Sequence, residues 1–464
     1  MTQIIKSRIN IWLLLILILF LLTRIYKISE IPPSVYWDEA SIGYNAYSIA
    51  KTLKDEWGDL MPLHFRAFGE FKLPIYIYSV VPFIKLFGLN EFSVRIPSVL
   101  FSFGVVILTF FLARKLTGRE SIGLWSSFFI SISPWFFIFS RTGYEATAGL
   151  MFYLLGIYLF FRAKNFFYFL AVLSFILSAY SYNSFRIISP LTLFLLFWEW
   201  KNIKIGMRWL TLSIIVIIIS VIPIYRLYVY DTGISRLQNI GRASGIIFLE
   251  NYLSHFDPRF LFLQGDNNLR HQQRGFGQLY VPEILLLLAG LIYLFKYKTK
   301  YKWLPVIFIL LAPIPSAITK ESPHALRAIS TVPFICMLSA MGAFFINWIP
   351  ASAGMTRWVM NFAIVIIFVG LFINYFVNFL TAYPYQAAKD WQYDYKRIFT
   401  NPKLQSETKD KIYISDEGGQ PYIFALFYLK YNPEKFRMEV VRNSVDKWGF
   451  STVARFGKFE FGNE

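Results

Sequence analysis

The run Tyr36-Trp37-Asp38-Glu39-Ala40 sets two adjacent carboxylates behind Pro32-Pro33. Glu70 and Lys72 follow in Phe68-Gly69-Glu70-Phe71-Lys72-Leu73-Pro74, and Arg141 and Glu145 follow in Ser140-Arg141-Thr142-Gly143-Tyr144-Glu145. Carboxylates can take a proton or hold a cation, while lysine and arginine hold anions. A site collecting these groups could do acid–base chemistry on a charged substrate. An arbitrary Asp-Glu pair is better explained by a polar loop, so what matters is whether the chain gathers these residues on one face.

Two later stretches carry similar residue types. Gln264-Gly265-Asp266-Asn267-Asn268-Leu269-Arg270-His271-Gln272-Gln273-Arg274-Gly275-Phe276-Gly277 is densely polar, and His271 could meet a phosphate or a metal. An ordinary loop with turn glycines is the competing reading, and no second His or Cys lies at metal spacing. Ser322-Pro323-His324-Ala325-Leu326-Arg327 offers a second histidine and an arginine, which a snorkelling Arg327 would also explain. Tyr180, Tyr182, Asn183 and Arg186 are accounted for by an aromatic belt at a membrane face.

The elements that must position these groups are membrane helices. Of 464 residues, 56% are hydrophobic and 16% charged, with a mean hydropathy of +0.47, which is too apolar for a soluble chain of this length. Apolar runs near the length that crosses hydrocarbon recur throughout, each closed by polar and basic residues. Spans are expected at about 11–25, 96–113, 121–139, 146–162, 166–182, 186–200, 207–224, 281–295, 303–319, 327–348 and 357–379. The first reads as a retained anchor, because Arg24, Tyr26 and Lys27 stand where a cleavage site would lie. The lone Cys336 falls in an apolar run and reads as packing. The net charge of +18 would suggest nucleic acid in a soluble protein, but here it borders the spans.

Charge decides the topology. If residues 74–88 lie along the interface and the N-terminus is cytoplasmic, the inner connections hold Lys6, Arg8, Arg114, Lys115, Arg119, Arg162, Lys164, Lys201, Lys204, Arg208, Lys296, Lys298, Lys300, Lys302 and Arg357, opposed by Glu120 and Glu199 alone. That is the asymmetry the positive-inside rule requires, and letting 74–88 cross would invert every later loop. The first outer loop (26–95), the 141–145 corner, the long outer loop (225–280) and the 320–327 corner then share one face. Asp38, Glu39, Glu70, Lys72, Arg141 and Glu145 converge there. The tail, 381–464, turns polar, with 13 basic and 11 acidic residues, and reads as a small extracytoplasmic α/β domain after a transmembrane domain over 1–380. Within it, helices are expected at 383–400 and 420–429 and strands at 411–416 and 436–441.

The Tyr36-Trp37-Asp38-Glu39-Ala40 run, the Lys72-Leu73-Pro74 segment and Phe87-Gly88-Leu89-Asn90-Glu91-Phe92-Ser93-Val94-Arg95-Ile96-Pro97-Ser98 resemble the GT-C superfamily of integral membrane glycosyltransferases. Within it they resemble the protein O-mannosyltransferase and aminoarabinose transferase branch most, tightly over about residues 20–150. The resemblance implies an all-α polytopic fold of about 11 transmembrane helices with interfacial helices in the first outer loop. It makes Asp38 the catalytic base and Lys72 a holder of the donor phosphate. The family sets Glu directly before that lysine, whereas here Phe71 intervenes. Glu39, Glu70, Arg141, Glu145, His271, His324 and Arg327 are the further candidates for donor phosphate or a divalent metal (Mg, Mn or Zn), with Glu70 and Glu145 the first choice for the metal.

The implied reaction moves a sugar from a polyprenyl phosphate to a hydroxyl on a lipid, glycan or protein, with inversion. The donor already carries a good leaving group, so one base suffices, and cations or a metal stabilise the departing phosphate. The expected setting is a bacterial plasma membrane, with the site on its extracytoplasmic face. A transporter is the first rival, yet transporters usually keep ionisable groups at the bilayer midplane, and this chain keeps nearly all of its acids in loops. A lipid-linked polysaccharide polymerase or ligase is the second rival. It is not expected to show the acid pair followed by the lysine-proline segment.

Overall fold

The computed structural model describes residues 2–162, 164–199, 205–229, 243, 245–346, 357–402, 411–444 and 450–462. Lys201, Lys204 and residues 230–242 of the long loop lie outside them. The chain is mostly helical and is a multi-pass membrane protein. Among the described residues, Glu91–Thr117 (α4), Met207–Val229 (α10), Ile329–Ile346 and Trp358–Thr381 are each long and apolar enough to cross a bilayer unaided. Ile329–Ile346 includes the helix Val332–Ile346 (α15), and Trp358–Thr381 falls in Arg357–Thr381 (α16).

Several expected spans appear in pieces or as shorter helices. Glu120–Ile132 (α5) and Pro134–Phe137 (α6) form one broken span bent by 65°. Ser133 is extended there (φ −60°, ψ 126°), as a residue before proline tends to be, and Pro134 brings no N–H to continue the helix. The 303–319 span likewise divides into Leu304–Leu311 (α13) and Ile314–Ala317 (α14) around Pro313 and Pro315. Thr2–Ile25 (α1), Ala146–Phe160 (α7), Asn165–Ala179 (α8), Phe185–Glu199 (α9) and Glu283–Lys296 (α12) complete the helical body. Where α12 meets α15, neither Gly290 nor Gly342 has room for a Cβ beside the facing backbone carbonyls, so the two helices touch main chain to main chain. Glu283, buried at the head of α12, accepts from Tyr280 N (3.2 Å) and Ser339 Oγ (3.1 Å), so its carboxylate is held by the fold.

The first loop folds back on this body. Trp37–Thr52 (α2) is followed by a hairpin of Phe65–Ala67 (β1) and Glu70–Lys72 (β2), then by Pro74–Phe87 (α3), which runs over the 74–88 segment. Both turn residues, Phe68 (φ 40°) and Gly69 (φ 78°), adopt the left-handed conformation that a two-residue hairpin turn requires. Pro74 at the first helical position then starts α3 without wasting an N–H.

The tail adds Tyr383–Gln386 (α17) and Tyr393–Phe399 (α18), separated by Gln392 at φ 51°, where one continuous helix was expected. Ile412–Ile414 (β3) and Pro421–Tyr428 (α19) lie within the expected strand and helix. The expected strand at 436–441 is mostly the helix Pro433–Glu439 (α20). Asn432 caps it by accepting from Glu434 N and Lys435 N, and Pro433 sits at its first turn, leaving only Val441–Arg442 (β4) extended. Val453–Phe456 (β5) and Phe459–Phe461 (β6) complete a sheet of order β3-β6-β5-β4, parallel only between β3 and β6.

The tail and the first loop share one apolar core, in which Tyr44, Ile77 and Val94 meet Phe424, Phe427 and Phe456. A Cβ on Gly43 of α2 would come within 2.6 Å of the Phe427 ring, so α19 seats directly on α2. Glu56 is buried at this junction, where its Oε1 accepts from the Tyr422 hydroxyl at 3.3 Å. Burial pushes its carboxyl up to about 7, a rise helped by Asp55 and only partly offset by the Arg442 guanidinium. A carboxyl raised on folding contributes stability that is complete below its unfolded value and is lost as pH climbs through its folded one. The wild-type melting temperature should therefore fall between about pH 5 and about pH 8.5 relative to Glu56→Gln, which lacks this titration. Parallel pH profiles for the two proteins would contradict that assignment.

Candidate active site

A cavity of about 600 Å³ opens where the first loop, the 144–145 corner, the long loop and the 320–327 segment meet. Asp38 lies in the first turn of α2, where a carboxylate is favoured by the helix dipole. Trp37 N donates to Gln392 Oε1 at 3.0 Å, so the start of this helix is fixed from the tail. Asp38 and Glu39 are neighbours in sequence, yet a helix turns about 100° per residue and parts them. Asp38 faces the cavity, whereas Glu39 is fully buried on the other side, clamped by Arg95 through Nε (3.1 Å) and Nη2 (3.0 Å) and by Gly143 N (2.6 Å).

Arg95 also donates to the carbonyls of Ile28, Pro32 and Ser34, so it ties down the strand of chain that leads into Asp38. Removing one member of a buried ion pair strands the other. Arg95→Ala should therefore cost about 3–5 kcal/mol of stability, read as a lower melting temperature. A change below about 1 kcal/mol would show that the pair does not hold the loop.

Lys72 is the hub of the cavity floor. Its Nζ lies 2.7 Å from Asp38 Oδ1 and 2.9 Å from Glu70 Oε1, and the lysine is only 4% exposed. Successive strand side chains alternate faces, so the residue between Glu70 and Lys72 is what puts both on the same side of β2. Burial disfavours the charged amine, but Asp38, Glu70 and Glu145 outweigh it and hold Lys72 above the ordinary lysine range. Glu145 joins the cavity wall just before α7.

The long loop supplies the opposite wall. Asp266 Oδ1 accepts from Asn268 N (2.9 Å), and its Oδ2 takes both His271 Nδ1 (3.0 Å) and Ala325 N (2.8 Å), so one carboxylate joins the long loop to the 320–327 segment. Burial would raise its pKa, but the His271 and His324 imidazoles outweigh this and hold it below the usual carboxylate range. The His271 and His324 rings stand 4.7 Å apart. Asp266, His271 and His324 each offer a ligand atom, all within 4.8 Å of one another. Arg327 donates to Thr319 Oγ1 (2.7 Å) and Glu321 Oε2 (2.9 Å) at the rim.

Of the sequence candidates, Asp38, Glu70, Lys72, Glu145, His271, His324 and Arg327 line the cavity. Glu39 and Arg141 do not. Arg141 is fully buried, donating to the carbonyls of Thr23, Tyr26 and Ile31 with its guanidinium over the Phe379 ring. The metal-spaced group among the described residues is Asp266, His271 and His324, and the expected pair Glu70 and Glu145 is not part of it. Glu70 is paired with Lys72 instead. Sequence reasoning also passed over Arg270, which lies over the Tyr36 ring at 5.0 Å beside Asp38. Burial disfavours its charge, but Tyr144, Tyr36 and Asp38 together raise its pKa. Its signal was present as the first cation in the polar stretch of the long loop.

Residues 14–230 match the family model described as dolichyl-phosphate-mannose-protein mannosyltransferase. No curated protein sequence matches the chain significantly. Among solved structures, ArnT from Cupriavidus metallidurans in the apo state superposes with a TM-score of 0.59 at 12% identity, covering 92% of this chain and 85% of that one. The same protein bound to undecaprenyl phosphate gives 0.55 at 11% identity, with the same coverage. The Archaeoglobus fulgidus oligosaccharyltransferase in complex with zinc and sulfate gives 0.50 at 13% identity, covering 90% of this chain and 61% of that one.

Proposed function

We propose that this chain, whose fold is that of the GT-C membrane glycosyltransferases, moves a sugar from a polyprenyl-phosphate donor to an acceptor hydroxyl. In this reading the cavity opens on the extracytoplasmic face of a bacterial plasma membrane, beneath a tail domain of residues 381–464. The observation that carries it is the contact between Lys72 and Asp38 on the floor of a cavity that Arg270, Lys320 and Arg327 also line, a proton acceptor beside an anion holder.

The donor phosphate enters between Lys72 and Arg270, both of which stay charged in this setting. While Lys72 sits 2.7 Å from Asp38 Oδ1, it occupies one oxygen that could take a proton. An arriving phosphate competes for the same ammonium, so donor binding frees the base. Asp38 then accepts the proton of the acceptor hydroxyl as that oxygen attacks the anomeric carbon. The phosphate leaves from the opposite face, which inverts the configuration. Lys72 and Arg270 stabilise the charge that builds on the departing oxygens.

Asp266, His271 and His324 fit a divalent ion of zinc type, two imidazoles and a carboxylate within ligand spacing, and such an ion would add positive charge beside the phosphate. That a structurally similar oligosaccharyltransferase has been solved in complex with zinc supports a divalent metal in this reading.

The test is a transfer assay. Membranes containing the protein, supplied with polyprenyl-phosphate pentoses and hexoses, should release polyprenyl phosphate and label an acceptor fraction that can be isolated and identified. Release no faster than from membranes lacking the protein, across all donors, would overturn the reading.

A further inference from the structure

One buried imidazole stands behind the cavity without facing it. His255 caps the helix Ile246–Ser254 (α11) and is 2% exposed. Its Nδ1 lies 2.8 Å from Asn251 O, and since a carbonyl can only accept, that nitrogen carries the proton. Its Nε2 lies 3.2 Å from His324 N, and since a backbone N–H can only donate, that nitrogen accepts. Both ring nitrogens are thus engaged, which leaves no lone pair with which His255 could itself ligate an ion.

We propose that His255 is a positioning residue whose acceptance of the His324 backbone N–H fixes the segment that presents the His324 imidazole to Asp266 and His271. The inference rests on the reading of those three residues as a divalent-metal site. Two further sets of contacts show that the segment is gripped as a unit. Asn251, one helical turn before His255 on the same face of α11, donates through Nδ2 to Thr319 O (2.8 Å), and its carbonyl accepts from Ser322 Oγ (3.0 Å). From the other side Asp266 Oδ2 takes Ala325 N at 2.8 Å. His324 lies between these grips, with its carbonyl accepting from Ala328 N (3.2 Å), its Nδ1 from Arg327 N (3.4 Å), and its own N–H donating to His255 Nε2. Without the His255 contact, His324 keeps its ties to Arg327 and Ala328 and loses the one to α11, so the residue can shift away from Asp266 and His271.

The test uses the full-length protein in detergent, stripped of metal and titrated with zinc alone, so no substrate is needed. Wild type should bind one ion. His255→Ala should bind it about ten- to a hundredfold more weakly, as losses behind a metal ligand do. His255→Gln, whose Oε1 reaches the position of Nε2, should recover most of that loss, whereas the shorter His255→Asn should not. General loosening of the fold would not separate glutamine from asparagine, and these two variants keep the comparison available if alanine fails to fold. Zinc binding by His255→Ala equal to that of wild type, or equal weakness of the glutamine and asparagine variants, would overturn the positioning role while leaving the metal site standing. Absence of zinc binding by the wild type would overturn both.

Discussion

Asp38→Asn should reduce sugar transfer by about a hundred- to ten-thousandfold, the range expected when a general base is removed. Binding of polyprenyl phosphate should survive. Asparagine keeps the size of the side chain and can still accept a hydrogen bond from Lys72, so the cavity floor stays in place while the proton acceptor is gone. The loss should therefore appear in kcat, with little change in donor KM, because an interaction used only in the transition state has been deleted. Transfer within about threefold of wild type would remove Asp38 from the chemistry. Glu39→Gln makes a useful contrast, since Glu39 lies outside the cavity in the grip of Arg95 and Gly143. Its effect should be on thermal stability before it is on kcat.

Lys72→Met should raise donor KM by at least about a hundredfold, since it removes a charge-assisted contact to phosphate and leaves acids facing an anionic substrate. Asp38 and Glu70 both pair with this ammonium, and Glu145 adds a further negative field. The methionine variant should thus repel the donor as well as fail to bind it. Lys72→Arg should recover binding only in part, because a planar fork that can clasp Asp38 in a bidentate pair would keep the base engaged. Lys72 is held above the usual lysine range and stays protonated throughout an assay window of about pH 5 to 9, so no alkaline loss of activity should trace to it. Because Lys72 and Asp38 touch, the double variant should lose less than the product of the two single losses. An unchanged donor KM in Lys72→Met would contradict the assignment.

What could be read from the sequence divides along physical lines. Apolar run lengths point to a polytopic helical body, because they report directly on transfer into lipid. They could not foresee the break at Ser133-Pro134, where a backbone bend divides an otherwise continuous apolar run. Asp38 and Lys72 were legible from residue type and resemblance, but the consequence of Phe71 was not. It emerges only once residues 70–72 are known to be a strand, on which alternation puts Glu70 beside Lys72. Glu39 and Arg141 have the right chemistry in the right segments, yet helical phase turns Glu39 toward Arg95. The backbone carbonyls of Thr23, Tyr26 and Ile31, at the end of α1 and just beyond it, draw Arg141 inward. Asp266 was passed over because its tie to His271 runs through an irregular loop with no period to read. The alternation of Phe436, Met438 and Val440 reads as a strand, but the helix start at Asn432-Pro433 prevails and α20 forms over it.

Where a lipid-linked phosphate sits decides whether Lys72 and Asp38 act as proposed. A cryo-electron microscopy structure of the reconstituted protein with a polyprenyl phosphate should show the phosphate within hydrogen-bond reach of Lys72 Nζ and the Arg270 guanidinium, with Lys72 drawn away from Asp38 and the prenyl chain leaving toward the membrane. Phosphate density outside this cavity, with the Lys72 to Asp38 contact intact, would contradict that proposal.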